Sequence, residues 1–116
     1  MHRRTVLAAL SLLALAALPL AAATETWTNA ALVDGGCQKK VKDTPDSHTR
    51  DCALKCASAG FGVFTADGHY LKFDAKGNEQ ALTAVKATDK KDHLRVDVKG
   101  TLDGETIKVE TLALVH

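Results

Sequence analysis

HLRVDVKGTLDGETIKVETLAL, residues 93–114, is the stretch from which the fold of this chain is read. Leu94, Val96 and Val98 alternate with Arg95, Asp97 and Lys99, and a period of two marks a strand with one face buried and the other in water. Asp103-Gly104 then offers a tight hairpin, because both residue types tolerate the positive φ that such a turn demands. The return strand sets Ile107, Val109 and Thr111 on one face. Beyond Thr111 the apolar phase moves to Leu112 and Leu114, which predicts a bulge or a change of face.

Upstream, the pattern repeats. Phe61-Gly62-Val63-Phe64-Thr65 runs into Ala66-Asp67-Gly68, and His69-Tyr70-Leu71-Lys72-Phe73 returns as the second arm of another hairpin. A first strand is expected over 27–33, ending at Asp34-Gly35-Gly36. Between 83 and 92 the pattern is weak, and a short helix or loop near 79–85 is the expected connection. One helix is well signalled, between the first strand and the first hairpin. Thr44 is placed to cap it, Pro45 suits its first turn, and Asp46 lies near its positive end. It would run through 50–57 and stop at Gly60, a natural left-handed cap. About five strands in hairpins, one short helix and no βαβ unit predict a mainly β protein: a small five-stranded OB-like barrel, with a meander covered by the helix as the alternative.

The chain opens as an export signal does. His2, Arg3 and Arg4 precede an apolar run over 6–18, Pro19 breaks it, and Ala21-Ala22-Ala23 supplies small residues for cleavage. A membrane anchor would need about 20 apolar residues. The reading is therefore a signal peptide over 1–23 and a single domain over 24–116, periplasmic or secreted, without membrane association once the signal is removed. Arg3-Arg4 leaves general and twin-arginine export equally open, and no cysteine follows the cleavage site to carry a lipid. Without Arg3 and Arg4, 13 of the 15 Lys+Arg remain against 14 Asp+Glu, a formal charge near −1. With no basic stripe either, nucleic acid is not an expected partner. About 93 residues (116 − 23) bury a modest core, so a covalent or metal staple would matter to stability.

Four soft side chains stand out: Cys37, His48, Cys52 and Cys56, in the spacing C-x10-H-x3-C-x3-C, with every cysteine of the chain included. Three cysteines cannot all pair within one exported chain, so at least one thiol stays free, holds a metal or bridges to another molecule. On the expected helix, His48, Cys52 and Cys56 fall at i, i+4 and i+8 and share a face, with Cys37 on the preceding loop able to fold back onto it. Three sulfurs and an imidazole suit zinc, and the same ligands suit Cu(I). The spacing is looser than the usual C-x2-C knuckle. The competing reading is a disulfide from Cys37 to Cys52 or Cys56, closing a loop of roughly 15 to 19 residues and contributing about 3 kcal/mol. A Cys52–Cys56 bridge lies near the geometric limit, and a redox-active thiol pair is a third possibility.

Other residues carry less. Asp34 is able to ligate or cap, but Asp before Gly-Gly is most often a turn residue. Trp27 and Tyr70 read as core rather than a stacking platform, and His69, His93 and His116 are scattered. With no serine elbow, phosphate loop, H-E-x-x-H or persuasive pair of carboxylates, catalysis is not expected.

The stretch 32–37 (Leu-Val-Asp-Gly-Gly-Cys), then 48–60 from His48 through Cys52 and Cys56 to Gly60, with Gly62, Asp67-Gly68 and Tyr70, resembles a group of small exported bacterial proteins of uncharacterised function. Their pattern is roughly D-x-x-C, H-x-x-x-C-x-x-x-C-x-x-x-G and a DG hairpin with an aromatic; residues 100–110 also fit it. Such proteins often carry glycine two residues before the L-V-D stretch, where this chain has Ala30, so its first strand is expected to differ. The resemblance supplies no activity; it implies a secreted OB-like domain carrying the Cys/His constellation. Together these readings point to an exported β-domain that binds a soft metal, zinc or copper, through Cys37, His48, Cys52 and Cys56. The alternatives are a disulfide-stabilised structural or interaction module without metal, and a thiol oxidoreductase.

Overall fold

A computed structural model describes residues 23–116. The signal peptide expected over 1–23 lies, apart from Ala23, outside the described residues. Five strands form a closed barrel: β1 (Thr24–Asp34), β2 (Phe61–Phe64), β3 (Tyr70–Phe73), β4 (Arg95–Asp103) and β5 (Thr106–Leu114). The order around the barrel is β1-β2-β3-β5-β4, and β4 returns to β1. All neighbours are antiparallel except β3 and β5, which close the barrel in parallel through Lys72↔Thr106 and Phe73↔Ile107. This is the OB-like architecture expected from the hairpins.

The deciding stretch folds as its pattern dictates. Val96, Val98, Ile107 and Val109 are buried, while Asp97, Lys99 and Lys108 face solvent. The change of phase near Thr111 is a bulge: Lys99 pairs with Thr111 and Gly100 with Val109, leaving Glu110 as the extra residue. Gly100 sits opposite because a Cβ there would lie 2.2 Å from the Lys108 carbonyl oxygen. A second irregularity bends β1 between Trp27 and Ala30, where Asn29 takes φ 52° and its N–H donates to Asp97.

The helices depart from expectation in two ways. The longer one is α2 (Ala75–Ala87), covering more than the 79–85 connection expected. Asp74 caps it, its carboxylate accepting from Gly77 N–H at 3.0 Å and from Val109 N–H in β5 at 3.2 Å. The buried face of α2 is Gly77, Ala81 and Val85, so small that hydropathy barely records it.

The single helix expected to start at Thr44 is instead three short pieces: a 3-10 turn Pro45–Ser47, the helix α1 (Arg50–Lys55) and a 3-10 turn Ala57–Ala59. His48 lies between the first two in extended conformation (φ −67°, ψ 123°), and Thr49 is the cap of α1, its Oγ1 accepting from Cys52 N–H. Tertiary bonds hold this break open. Asp46 makes a two-pronged ion pair with Arg95, and its carbonyl accepts from His93 N–H; Arg50 N–H donates to the Lys91 carbonyl. The Arg50 guanidinium reaches the Val85 and Lys86 carbonyls at the C-terminal end of α2. Gly60 ends the segment as expected, but at φ 77° and ψ 178°, a positive-φ conformation outside the left-handed region expected of it.

From Ala30 to Asp34, β1 is buried on both faces. Ala30 and Leu32 join the barrel core with Phe61, Val63, Val96 and Ile107. Ala31 and Val33 face outward into a satellite cluster with Phe64, covered by Val41 and Tyr70. The loop after β1 thus packs onto the barrel, so that Asp34 at the strand's end is fully buried and Cys37 on the loop is partly covered.

Candidate metal centre

Asp34, the last residue of β1, has no solvent exposure. One carboxylate oxygen, Oδ2, accepts from Gly36 N–H at 2.9 Å and Cys37 N–H at 3.0 Å, which turns the chain sharply back. The turn role expected of Asp34 is therefore present. The other oxygen, Oδ1, lies 2.5 Å from His48 Nε2, and that imidazole is 3 % exposed. A carboxylate calls for a donor at Nε2, which in the neutral ring leaves Nδ1 as the lone-pair nitrogen. Nδ1 is buried and has no hydrogen-bond partner among the described residues. A ring held by a carboxylate through one nitrogen, with the other unsatisfied, is the usual arrangement of a metal-ligating histidine.

Cys37 completes the group: one donor atom from each of Asp34, Cys37 and His48 lies within 4.8 Å of the others. The Cys56 thiol is a neighbour of Cys37, close enough to perturb it. Their approach is built into the backbone. Gly35 N–H donates to the Gly60 carbonyl at 2.9 Å, and a Cβ on Gly35 would lie 2.7 Å from the Ala59 carbonyl oxygen. A Cβ on Gly36 would sit 3.6 Å from the Cys56 Cβ. Only a residue without a side chain at 35 presses this closely onto the turn after α1.

The thiol of Cys37 is pushed above the ordinary cysteine value, first by burial, then by the Asp34 charge and by the neighbouring Cys56 thiol. Burial and the same carboxylate raise the Tyr70 phenol as well, whose hydroxyl donates to the Val33 carbonyl at 2.9 Å.

Of the four residues singled out by sequence, the structure groups Cys37 and His48 with Asp34, sets Cys56 beside Cys37, and leaves Cys52 exposed on α1. The shared helix face expected for His48, Cys52 and Cys56 is not formed, because His48 precedes the helix and turns inward to Asp34. All three cysteines carry free thiols, so neither expected disulfide, Cys37 to Cys52 or Cys37 to Cys56, is formed. Asp34 is the member of the candidate group that sequence reasoning set aside; its signal is the D-x-x-C spacing, which puts Cys37 on the turn that the carboxylate closes. A thiol, an imidazole and a carboxylate are donors for zinc, with a second thiol beside them, and sulfur with imidazole suits Cu(I). No protein-family model, curated protein or solved structure matches the chain.

Proposed function

We propose that this protein is an exported β-barrel domain that binds a soft metal ion, zinc or Cu(I), through Cys37, His48 and Cys56, with Asp34 orienting the imidazole. The observation that carries this reading is the buried Asp34–His48 pair beside Cys37, with His48 Nδ1 left without a partner. A buried polar nitrogen without a partner costs about 1–3 kcal/mol, and a ligand removes that cost. The leader-like sequence over 1–23 supports export, and the near-neutral charge gives no reason for a nucleic-acid partner.

Native mass spectrometry of the reduced protein, with elemental analysis, tests the reading. One zinc or copper per chain is expected, released by chelator, with loss of binding in Cys37→Ser and His48→Gln. Absence of stoichiometric binding on titration with either ion overturns it.

A second reading rests on the Cys37–Cys56 contact. In an oxidising compartment these sulfurs are placed to form a disulfide spanning 19 positions (56 − 37), a staple contributing about 3 kcal/mol to a small structural or interaction module. A thiol count after denaturation in chelator separates the two: three reduced thiols from the metal-bound protein, one from the disulfide form.

A further inference from the structure

The same contact that supports the second reading has a consequence for the first. We propose that Cys37 and Cys56 form a reversible redox couple, so that their disulfide state and the metal-bound state exclude each other and oxidation releases the metal. The inference rests on the metal-binding reading.

Three features carry it. The two cysteines are already neighbours, the Cys56 Cβ lying 3.6 Å from where a Cβ on Gly36, next to Cys37, would sit. Their backbones are held near each other by the Gly35–Gly60 hydrogen bond and by the seating of Gly35 and Gly36 on residues 56–59. Neither sulfur is sealed in: Cys37 and Cys56 are both partly exposed, unlike His48 and Asp34. A disulfide reagent can therefore reach the pair while the rest of the site stays covered. Cys52, exposed on α1, is outside the couple and remains a free thiol in both states.

The step is a thiol–disulfide exchange with a low-molecular-weight disulfide, written RSSR. One protein thiolate attacks RSSR, forming a mixed disulfide and expelling RS⁻; the other protein thiolate attacks the mixed disulfide, forming the Cys37–Cys56 bond and expelling the second RS⁻. The two protein sulfurs are oxidised by two electrons, RSSR is reduced to two thiols, and the metal leaves with its oxidation state unchanged. The site loses two of its donors, so affinity falls by more than the roughly 10–100-fold typical of losing a supporting hydrogen bond.

The test uses the mature chain loaded with zinc, incubated with oxidised glutathione, with zinc release followed by a chromogenic chelator and the disulfide located by peptide mass spectrometry. Zinc release in step with a Cys37–Cys56 bond, reversed by dithiothreitol, is expected. The Cys52→Ser variant, which leaves the proposed donors intact, is expected to behave identically. Zinc retained after the Cys37–Cys56 bond has formed overturns the inference while metal binding stands. A bond from Cys52 to either partner, or a dimer through Cys52, as the product that accompanies release also overturns it. Failure of the reduced protein to take up zinc or Cu(I) at all overturns the metal reading, and the inference with it.

Discussion

The Asp34 carboxylate and the His48 imidazole meet at 2.5 Å across 14 positions of sequence, and neither side chain reaches solvent to any useful extent. This pair ties the end of β1 to the segment that would otherwise continue as one helix from Pro45. It also defines what Asp34 contributes to stability. Asp34→Ala removes the acceptor for His48 and for the N–H groups of Gly36 and Cys37. With chelator present, the variant is expected to lose roughly 3 kcal/mol, the upper end for one stranded buried donor, since water can reach the two N–H groups. Urea denaturation with the slope held fixed measures it. A loss below about 1 kcal/mol would show that the pair does not hold the native segment.

Gly77→Ala tests how tightly α2 seats on the barrel. Alanine is favoured over glycine in a helix interior by about 1 kcal/mol. Here the added Cβ would lie 2.5 Å from Val109 Cγ2 and 2.8 Å from Phe73 Cβ. Overpacking of that kind costs about 1–3 kcal/mol, so the substitution is expected to lower the melting temperature despite the better propensity. An increase would mean that α2 is free to move outward.

Why the sequence declared the barrel and not the site follows from these residues. Strand alternation in 94–98 and the Asp103-Gly104 turn are local signals, and the closed five-stranded barrel grows from them. The Gly77, Ala81 and Val85 face of α2 was faint because packing against β5 demands small residues, which leave little hydropathy contrast. The broken helix was hidden because Thr44, Pro45 and Asp46 do start a helical turn. What ends it is Asp46 reaching Arg95 and His48 reaching Asp34, contacts 49 and 14 positions away that no local pattern records. For the same reason the Cys/His spacing named Cys37 and His48 of the Asp34 group, and Cys56 beside Cys37, but misplaced Cys52.

The Asp46–Arg95 pair makes stability pH-dependent. Two bonds of 2.8 Å join the carboxylate to the guanidinium, and Arg95 hydrogen-bonding holds the Asp46 carboxyl below the usual carboxylate range. A depressed folded-state pKa contributes stability that is present above the unfolded value of about 3.9 and is lost as pH falls through the folded value. Asp46→Asn is therefore expected to cost stability at pH 7 and to match the parent chain at the acid end. The side chains are 30 % and 36 % exposed, so the effect is expected not to exceed about 1 kcal/mol. Thermal melts from pH 2 to 7 decide it; a constant difference at every pH would assign the loss to the 45–47 turn instead.

Alkylation should order the thiols. Cys52 is exposed, whereas Cys37 is partly covered and its thiol is pushed up by burial and the Asp34 charge. A raised pKa means less thiolate at a given pH and slower attack. In the reduced, metal-free protein at pH 8, iodoacetamide is expected to modify Cys52 first and Cys37 last, with Cys37 gaining on Cys52 as the pH rises. Peptide mapping over time reads the order directly. Rapid modification of Cys37 at neutral pH would mean that the loop after β1 stands away from Cys56.

Metal affinity should follow the proton on Cys37. Binding requires the thiolate, so each ion bound displaces that proton, and a thiol whose pKa lies above the ordinary value stays protonated throughout the neutral range. Apparent affinity for zinc is therefore expected to climb by about tenfold per pH unit between pH 6 and 8 for one displaced proton, and more steeply where Cys56 also gives one up. Cys52→Ser is expected to leave both the stoichiometry and this slope unchanged, because the exposed thiol lies outside the group. His48→Gln keeps a side chain that can bond to Asp34 but removes the ring nitrogen left without a partner, so it is expected to weaken binding while preserving the fold. Competition titrations against a chromogenic chelator at several pH values give slope and affinity together. Equal weakening by Cys52→Ser and His48→Gln would place the metal on the surface of α1, away from the buried pair.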